Sequence, residues 1–387
     1  MKICILTQPL NFNYGGVLQA YALQRVLREA GYDVSTDRFG ARLKLPMSER
    51  IMRFGFHTWK RYICGYKLFN PFRFLFCGLN RHDEYAQICV NIERFISQQI
   101  KCVDFFEGRC APTSQELNKY DLLVVGSDQV WRAVYSYLPA YFLSFTQNIN
   151  IKRIAYAASF GVDNIDDYNG SIRSKCGEWL KKFDGISVRE ESGLEICHKE
   201  FGAKAELVLD PTMLLNMEDY LDLIKSHNTY HNTPPKDQTL MNYILNEDTM
   251  RNEITNQIAS KLSLTPLNII PHGVFDRRTK DLKDCTMPSI EEWLAGFRDA
   301  KFVVTDSFHG AVFSIIFNTP FVVIDNRGRG SARFTSLLKI FDLESRLISS
   351  ADQINDSIFE PINWQKVNDT RLKWRQKSLH FLSSNLR

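Results

Sequence analysis

The sequence predicts an α/β fold with two Rossmann-like domains that face a cleft. Short apolar runs recur along the chain, and segments with apolar residues at helical spacing separate many of them. This alternation is typical of parallel sheets covered by helices. The chain has 387 residues, enough for two domains, and it has more predicted strands than one small sheet holds. The predicted strands are residues 2–7, 32–35, 121–125, 154–158, 185–188, 207–209, 241–245, 267–270, 302–305 and 321–324.

The chain opens with a buried strand over residues 2–7, then a loop, then an amphipathic helix over residues 17–30. Gly31 suits the C-terminal cap of that helix. The Gly-x-Gly-x-x-Gly fingerprint is absent, so this opening does not predict a dinucleotide site. We expect an N-terminal domain over 1–170 on the acceptor side, a C-terminal domain over 171–345 on the donor side, and a helical segment over 346–387 that packs back on the N-terminal domain.

The composition is that of an ordinary globular protein, with 44% hydrophobic and 24% charged residues. A net charge of +4 is too small to indicate nucleic acid as a partner. The nine cysteines include no Cys-x-x-Cys pair, which argues against a disulfide framework and a structural zinc site. We therefore expect no metal and a cytoplasmic location. The N-terminal residues leave no room for the apolar region of a signal peptide, and no run has the roughly twenty apolar residues of a spanning helix.

Residues 50–82 combine cations with aromatic rings and contain no acidic residue. One interpretation is contact with an anionic membrane surface, where rings lie at the headgroup boundary and cations meet phosphates. That contact would place the protein at the inner face of the membrane. The alternatives are a helical insertion whose aromatic residues pack into the core, and a site for single-stranded nucleic acid. The cations are Arg50, Arg53, Lys60, Arg61, Lys67, Arg73 and Arg81, and the rings include Phe54, Phe56, Trp59, Tyr62, Tyr66, Phe69, Phe72, Phe74 and Phe76.

Polar and small residues follow several predicted strands, at the sheet edge where open α/β folds bind ligands. Paired glycines there let a backbone approach a ligand closely, and Ser, Asp and Gln can bond sugar hydroxyls. The alternatives are an ordinary tight turn for the first group and helix capping for the second. The candidate residues are Asn13, Tyr14, Gly15 and Gly16, then Ser127, Asp128 and Gln129, and finally Ser159.

His309 stands at the turn between the predicted strand 302–305 and an apolar helix. Free N–H groups at a helix start favour an anion, and a histidine there can donate a proton near neutral pH. Ser307, Phe308 and Gly310 share this turn and are candidate substrate-binding residues. The alternative is a capping or buried structural histidine.

Arginines supply the candidate anion-binding groups. Arg189 ends the predicted strand 185–188, and its paired N–H donors suit a carboxylate or phosphate. Its alternative role is a surface pair with a neighbouring glutamate. Arg327, Arg329 and Arg333 lie among glycines after the strand 321–324. The alternative there is a solvated basic loop.

Five motifs in this order together resemble the polysaccharide pyruvyl transferase family, over about residues 1–340. The resemblance implies a two-Rossmann glycosyltransferase B architecture. It also implies transfer of a pyruvyl group from phosphoenolpyruvate to a sugar, giving a cyclic ketal, with phosphoenolpyruvate as the donor substrate and no cofactor. The motifs are Asn13–Gly16, Gly126–Trp131, Ser187–Ser192, Asp210–Thr212, and Ser307–Gly310 with Pro320 beyond it.

By this resemblance, Arg189 and His309 match the family's arginine and histidine that meet phosphoenolpyruvate. Members often carry Arg-Leu before the histidine, whereas this chain has Ser307 and Phe308. We expect one of the arginines at 327, 329 or 333 to supply the missing cation.

The expected mechanism needs charge neutralisation and proton placement, without a metal. Protonation of the donor's methylene carbon, with His309 as the general acid or as the partner of the leaving phosphate, lets a sugar hydroxyl attack the adjacent carbon. Asp128 is the candidate base. The acceptor is a sugar, carried on a lipid if residues 50–82 meet a membrane. The alternatives are a glycosyltransferase with a nucleotide-sugar donor and a non-catalytic module that binds a membrane or another surface.

Overall fold

Two parallel sheets form the frame of the protein. The computed structural model describes residues 1–41, 47–72, 84–226, 238–271, 274, 277–326 and 330–386, and all statements below concern these residues. Within them, every paired strand of either sheet runs parallel to its neighbour. Parallel strands need crossover connections, and helices supply them.

The first sheet has seven strands in the described residues, in the order β3-β2-β1-β4-β5-β6-β7. The order reverses between β1 and β4, which is the topological switch point of a Rossmann fold. The strands are β1 (Lys2–Leu6), β2 (Asp33–Asp37), β3 (Cys102–Val103), β4 (Leu122–Val125), β5 (Lys152–Ala158), β6 (Gly185–Val188) and β7 (Glu206–Leu207).

The second sheet has five described strands in the order β12-β11-β10-β8-β9. The strand order reverses between β8 and β10, so the switch point lies there, as in the flavodoxin-like order of parallel strands. The strands are β8 (Thr239–Tyr243), β9 (Thr265–Asn268), β10 (Phe302–Thr305), β11 (Phe321–Ile324) and β12 (Leu347–Ile348).

The helices cover both sheets. Helix α1 begins three residues before the predicted start because the side chain of Asn13 accepts the N–H of Gly16 and caps it. The helices are α1 (Tyr14–Glu29), α2 (Met47–Thr58), α3 (Glu84–Ile88), α4 (Val90–Gln99), α5 (Ser114–Leu117), α6 (Leu138–Tyr141), α7 (Gly170–Leu180), α8 (Glu191–Phe201), α9 (Met217–Lys225), α10 (Thr249–Leu262), α11 (Ile290–Asp299), α12 (Phe308–Phe317), α13 (Ala332–Ile340) and α14 (Trp364–Leu386).

Sheet membership corrects the boundary predicted at residue 170. Strands β6 and β7 lie beyond that residue, yet both pair in the first sheet. The change of sheet therefore falls between β7 and β8. Residues 159–169 connect β5 to α7 within the first half, so the chain near residue 170 is not a linker between domains.

Helix α14 returns to the first sheet after the chain has built the second. Phe381, Leu382 and Leu386 belong to a buried cluster with Ile3 and Ile5 of β1. The hydroxyl of Ser378 also accepts the N–H of Leu209 at 2.9 Å. Helix α14 is thus part of the first half of the molecule, whereas β12, at the start of the predicted segment 346–387, belongs to the second sheet.

The two halves share one apolar core. The ring of Tyr14 in α1 stacks on Trp293 in α11, with centroids 5.3 Å apart. Its hydroxyl donates to the carbonyl of Pro288 at 2.7 Å. Val17 and Phe313 are buried in the same cluster. An interface of this kind restricts the relative motion of two halves.

The cation-rich stretch predicted at residues 50–82 is described only as far as residue 72, so Arg73, Phe74, Phe76 and Arg81 lie outside the described residues. Helix α2 continues into one π-helical turn at Trp59–Ile63. His57 and Phe69 are buried, whereas Phe56 and Tyr62 are exposed. The described part is thus a helical insertion, as one alternative predicted, but only some of its aromatic residues pack inward. Among the described helices, none combines the length and the hydropathy that crossing a membrane requires.

Candidate functional site

A cleft of about 680 Å³ lies where the two switch points face each other. One wall follows β1 and β4, and includes Gln8 and Asp128. The other wall follows β8 and includes residues 243–247. Ligands of open α/β sheets bind outside the carboxyl ends of the strands at such points. The described lining is Gln8, Pro9, Asn11, Phe12, Asn13, Asp128, Gln129, Tyr135, Tyr243, Ile244, Leu245, Asn246, Glu247, Ile270, Pro271 and Val274.

The turn after β4 is held by a buried hydrogen-bond network. Ser127 donates its N–H to the side chain of Gln19 at 3.1 Å and accepts the hydroxyl of Thr7 at its carbonyl at 3.0 Å. Its own hydroxyl donates to Asp210 at 3.1 Å. Asp128 has φ +69, an unusual conformation for a residue other than glycine, and such conformations cluster at functional sites. The network fixes where the carboxylate of Asp128 points.

Arg189 is bound by two carboxylates. One terminal nitrogen donates to Asp128 Oδ1 at 2.8 Å and the other to Asp210 Oδ2 at 2.7 Å. The guanidinium also lies 4.5 Å from the ring centroid of Phe308, which adds a cation–π contact. The predicted alternative of a surface pair with Glu190 is wrong, because the Arg189 side chain is 1% exposed and its partners are aspartates.

His309 brings the second half of the protein to this network. It lies in the first turn of α12, and its Nε2 is 3.7 Å from Asp210 Oδ2. A Cβ atom on Gly15 would lie 2.1 Å from its Nδ1, so only glycine permits this approach of α1 to the imidazole. Gly15 of the first half and His309 of the second are thus in direct contact.

The charges shift the pKa values of this cluster in opposite directions. Burial alone would raise the pKa of Asp210, but the neighbouring His309 and Arg189 hold it well below the ordinary range. Burial alone would also raise the pKa of Asp128, but Arg189 and His309 outweigh this effect and lower it. Burial raises the pKa of Glu190, and burial with the neighbouring Arg189 lowers the pKa of Arg333 to about 10. The aspartates therefore stay ionised at neutral pH.

The structure brings together most of the predicted site residues, but not as an open cationic crevice. Asn13, Asp128 and Gln129 line the cleft. Arg189 and His309 are buried, and neither lines the cleft. No Lys or Arg is among the described lining residues, so the candidate anion-binding groups Arg189 and Arg333 do not line this cleft.

Other predicted residues occupy structural positions. Tyr14 is fully buried between the halves, with both its ring and its hydroxyl engaged. A Cβ on Gly310 would lie 2.2 Å from Thr305 Oγ1, so this glycine packs α12 on β10. Gly16 donates its N–H to Asn13. Ser307 precedes α12 without a side-chain capping bond.

The remaining predicted residues surround the network. Ser159 is buried at the end of β5. Arg333 is buried, with its guanidinium 5.8 Å from the ring of Phe308. Arg327 and Arg329 lie outside the described residues. The residue after them, Gly330, is so close to Gly161 that a Cβ would lie 1.4 Å from its carbonyl oxygen.

Reasoning from residue types missed Asp210, which links Ser127, Arg189 and Thr212. The signal was present, since an aspartate directly follows the apolar run Leu207–Leu209. Two buried nitrogens next to it, Arg189 Nε and His309 Nε2, make no hydrogen bond within the described chain. Buried polar groups of this kind are commonly completed by water or a ligand.

Comparison with known proteins identifies the family. The model of the polysaccharide pyruvyl transferase family matches residues 13–328. Among solved structures, UDP-GlcNAc 2-epimerase from Neisseria meningitidis bound to UDP-GlcNAc aligns over 100% of both chains, with 9% identity and a TM-score of 0.54. UDP-N-acetylglucosamine 2-epimerase from Rickettsia bellii aligns over 99% of this chain and 96% of its own, with 9% identity and a TM-score of 0.51.

At such low identity these structures establish the fold alone, and they confirm the predicted arrangement of two Rossmann-like domains of the glycosyltransferase B kind. No curated protein matches the sequence significantly. The family match covers most of the sequence and includes His309, Arg189, Asp128 and Asp210. The chain therefore belongs to the polysaccharide pyruvyl transferase family.

Proposed function

We propose that this protein transfers the pyruvyl group of phosphoenolpyruvate to two hydroxyls of a sugar in a polysaccharide repeat unit, forming a cyclic ketal and releasing phosphate. One contact carries the proposal. His309 of the second half meets Gly15 and the Asp128–Arg189–Asp210 network of the first half, directly behind the cleft. This places an ionisable imidazole and an arginine together at the carboxyl ends of the strands.

Asp128 is the only member of this network that also lines the cleft in the described chain. A donor carboxylate or phosphate that takes its place on Arg189 exchanges one buried ion pair for another, so the guanidinium is never left unpaired. Asp128 is then freed from the charge that lowers its pKa. Its basicity rises as the donor binds, and it can accept the proton of an incoming sugar hydroxyl.

The donor carries about three negative charges, and several groups neutralise them. Helix α12 has ten residues and starts without a side-chain cap, so its first N–H groups can bind an anion. Arg333 adds a buried cation beside Phe308. Arg327 and Arg329 belong to the same stretch, next to Gly330, and would supply the rest.

The reaction balances without a redox step. His309 gives a proton to the methylene carbon, and the first sugar hydroxyl bonds to the adjacent carbon while its proton passes to Asp128 or His309. The bond from that carbon to the phosphate oxygen breaks, and the second hydroxyl closes the ketal. Of the two hydroxyl protons, one ends on the new methyl group and the other on phosphate.

The test is phosphate release from phosphoenolpyruvate in the presence of sugar acceptors. Loss of the proton donor in His309→Gln should lower turnover by roughly 10²–10⁴-fold. The exposed Asp33, paired with Lys101, provides a control in Asp33→Asn, which should keep full turnover. Wild-type turnover in His309→Gln would remove the assignment of His309.

A thermal-shift comparison separates this function from a nucleotide-sugar glycosyltransferase on the same fold. Phosphoenolpyruvate should raise the melting temperature of the wild-type protein by binding the folded state. Stabilisation by UDP-GlcNAc with none by phosphoenolpyruvate would favour the nucleotide-sugar enzyme and overturn our proposal. Stabilisation by neither, without phosphate release, would favour a non-catalytic module.

A further inference from the structure

The outer face of residues 47–72, here called the α2 segment, is apolar and open to solvent. Met52, Phe56, Trp59 and Ile63 are spaced four, three and four residues apart, so they lie along one side of the helix. Each is between 49% and 75% exposed. Exposed apolar residues are normally scattered singly, whereas a contiguous apolar patch marks a binding surface. These four residues are here called the stripe.

The inner face of the α2 segment is fixed to the rest of the protein. Leu68 belongs to the shared apolar core, and the guanidinium of Arg277 lies 5.9 Å from the ring centroid of Phe69. The N–H of Lys67 donates to the carbonyl of Thr279 at 2.9 Å. The stripe is therefore held on the outside by the fold.

Positive charge accompanies the stripe. Residues 47–72 contain Arg50, Arg53, Lys60, Arg61 and Lys67, against the single carboxylate of Glu49. The ammonium of Lys60 lies 4.7 Å from the ring centroid of Trp59 and 5.6 Å from that of Phe56. Cations beside partly exposed rings suit the boundary between lipid headgroups and acyl chains.

We propose that the α2 segment docks this protein on a membrane surface that contains anionic phospholipids. The four stripe side chains enter the headgroup–acyl boundary, and the flanking cations meet lipid phosphates. A second copy fits less well, because a symmetric pair would bring the same cations against each other. Bases of single-stranded nucleic acid stack on rings, and they leave the aliphatic Met52 and Ile63 unexplained.

The docked segment lies beside the cleft. Thr279 holds Lys67, and Arg277 lies 5.9 Å from the ring centroid of Phe69. Val274, three residues earlier, lines the cleft. If the proposed function holds, a sugar on a lipid carrier reaches the site without leaving the membrane surface.

Vesicle co-sedimentation of the full chain tests the docking. We expect binding to vesicles of phosphatidylcholine with phosphatidylglycerol, weaker binding at high salt, and much less to phosphatidylcholine alone. Trp59→Ser/Ile63→Ser should lower the bound fraction roughly 10-fold or more, and Lys60→Gln/Lys67→Gln should weaken the salt dependence. Val90→Ser/Leu372→Ser is the matched control, since these residues are 54% and 52% exposed on α4 and α14. It should bind as wild type.

Tryptophan fluorescence locates the contact. Trp59 is the most exposed of the six tryptophans at 49%, whereas Trp131 and Trp293 are fully buried and Trp179, Trp364 and Trp374 are half-buried. Vesicles should shift the wild-type emission to the blue, and Trp59→Phe should keep sedimentation but lose most of that shift. No binding of the wild-type chain to anionic vesicles overturns the proposal. Self-association that Trp59→Ser/Ile63→Ser abolishes assigns the stripe to a second copy and also overturns it.

The docking proposal and the proposed function can be refuted independently of each other. Trp59→Ser/Ile63→Ser should release phosphate with a soluble sugar acceptor at the wild-type rate, because neither residue lines the cleft. Loss of vesicle binding with this activity intact supports docking. Vesicle binding by a chain that never turns over phosphoenolpyruvate supports docking and refutes the proposed function.

Discussion

Substitution of Gly15 by alanine tests the contact between the two halves. The new Cβ would lie 2.1 Å from Nδ1 and 2.2 Å from Cγ of His309, whereas ordinary contact begins at 3.4 Å. The imidazole or the start of α1 must therefore move by more than 1 Å. Both are buried, so neither has open space to enter. A displacement of about 1 Å from reactive geometry costs on the order of 10²-fold in rate. Crowding in a packed site also destabilises the fold by about 1–3 kcal/mol.

Phosphate release and thermal unfolding, measured on the same preparation, separate the two effects. Gly170→Ala is the control, because Gly170 also starts a helix and a Cβ there would meet nothing within 4 Å. We expect Gly15→Ala to stay folded with turnover roughly 10²-fold lower, and Gly170→Ala to match the wild type. A folded Gly15→Ala protein with full activity would show that the position of His309 does not matter to the chemistry.

Three further predictions follow from buried groups. Asp210→Ala leaves Arg189 with one carboxylate and should lower the free energy of unfolding in urea by about 3–5 kcal/mol. Asp33→Ala, at an exposed pair, should lower it far less, and equal losses in the two variants would refute this prediction. Burial raises the pKa of Asp37 to about 6, so the folded protein keeps a proton there that the unfolded chain releases. The proton on Asp37 therefore stabilises the folded state by about 3 kcal/mol below about pH 4, and this stabilisation is lost as the pH rises through 6. Asp37→Asn should flatten the dependence of the free energy of unfolding on pH over this range. Gly330→Ala, at φ +95 and against the carbonyl of Gly161, should raise the KM for phosphoenolpyruvate several-fold, and an unchanged KM would separate this loop from donor binding.

The strands were predictable where burial on both faces gave continuous apolar runs. The predicted strands 185–188, 302–305 and 321–324 coincide with β6, β10 and β11. Strands β3 and β12 have two residues each and leave no periodic signal. The pairing of β6 and β7 with the first sheet depends on contacts across the sheet, which no local pattern encodes.

The candidate site was predictable as a set of strand ends, since each polar motif follows an apolar run. Its electrostatics were not. Arg189 suggests an anion-binding group in the sequence, but the fold places Asp128 and Asp210 on its two terminal nitrogens. These partners lie 61 and 21 residues away, so only the tertiary structure reveals that the guanidinium is already neutralised.

The return of helix α14 makes the first half discontinuous in sequence. Phe381 and Leu382 lie in one buried cluster with Ile3 and Ile5 of the first strand, so this cluster is complete only after the second half has been translated. The strands of the second sheet, β8 to β12, are all translated before α14. The hydrophobic core of the N-terminal half, although begun first, is therefore closed only when α14 has been made.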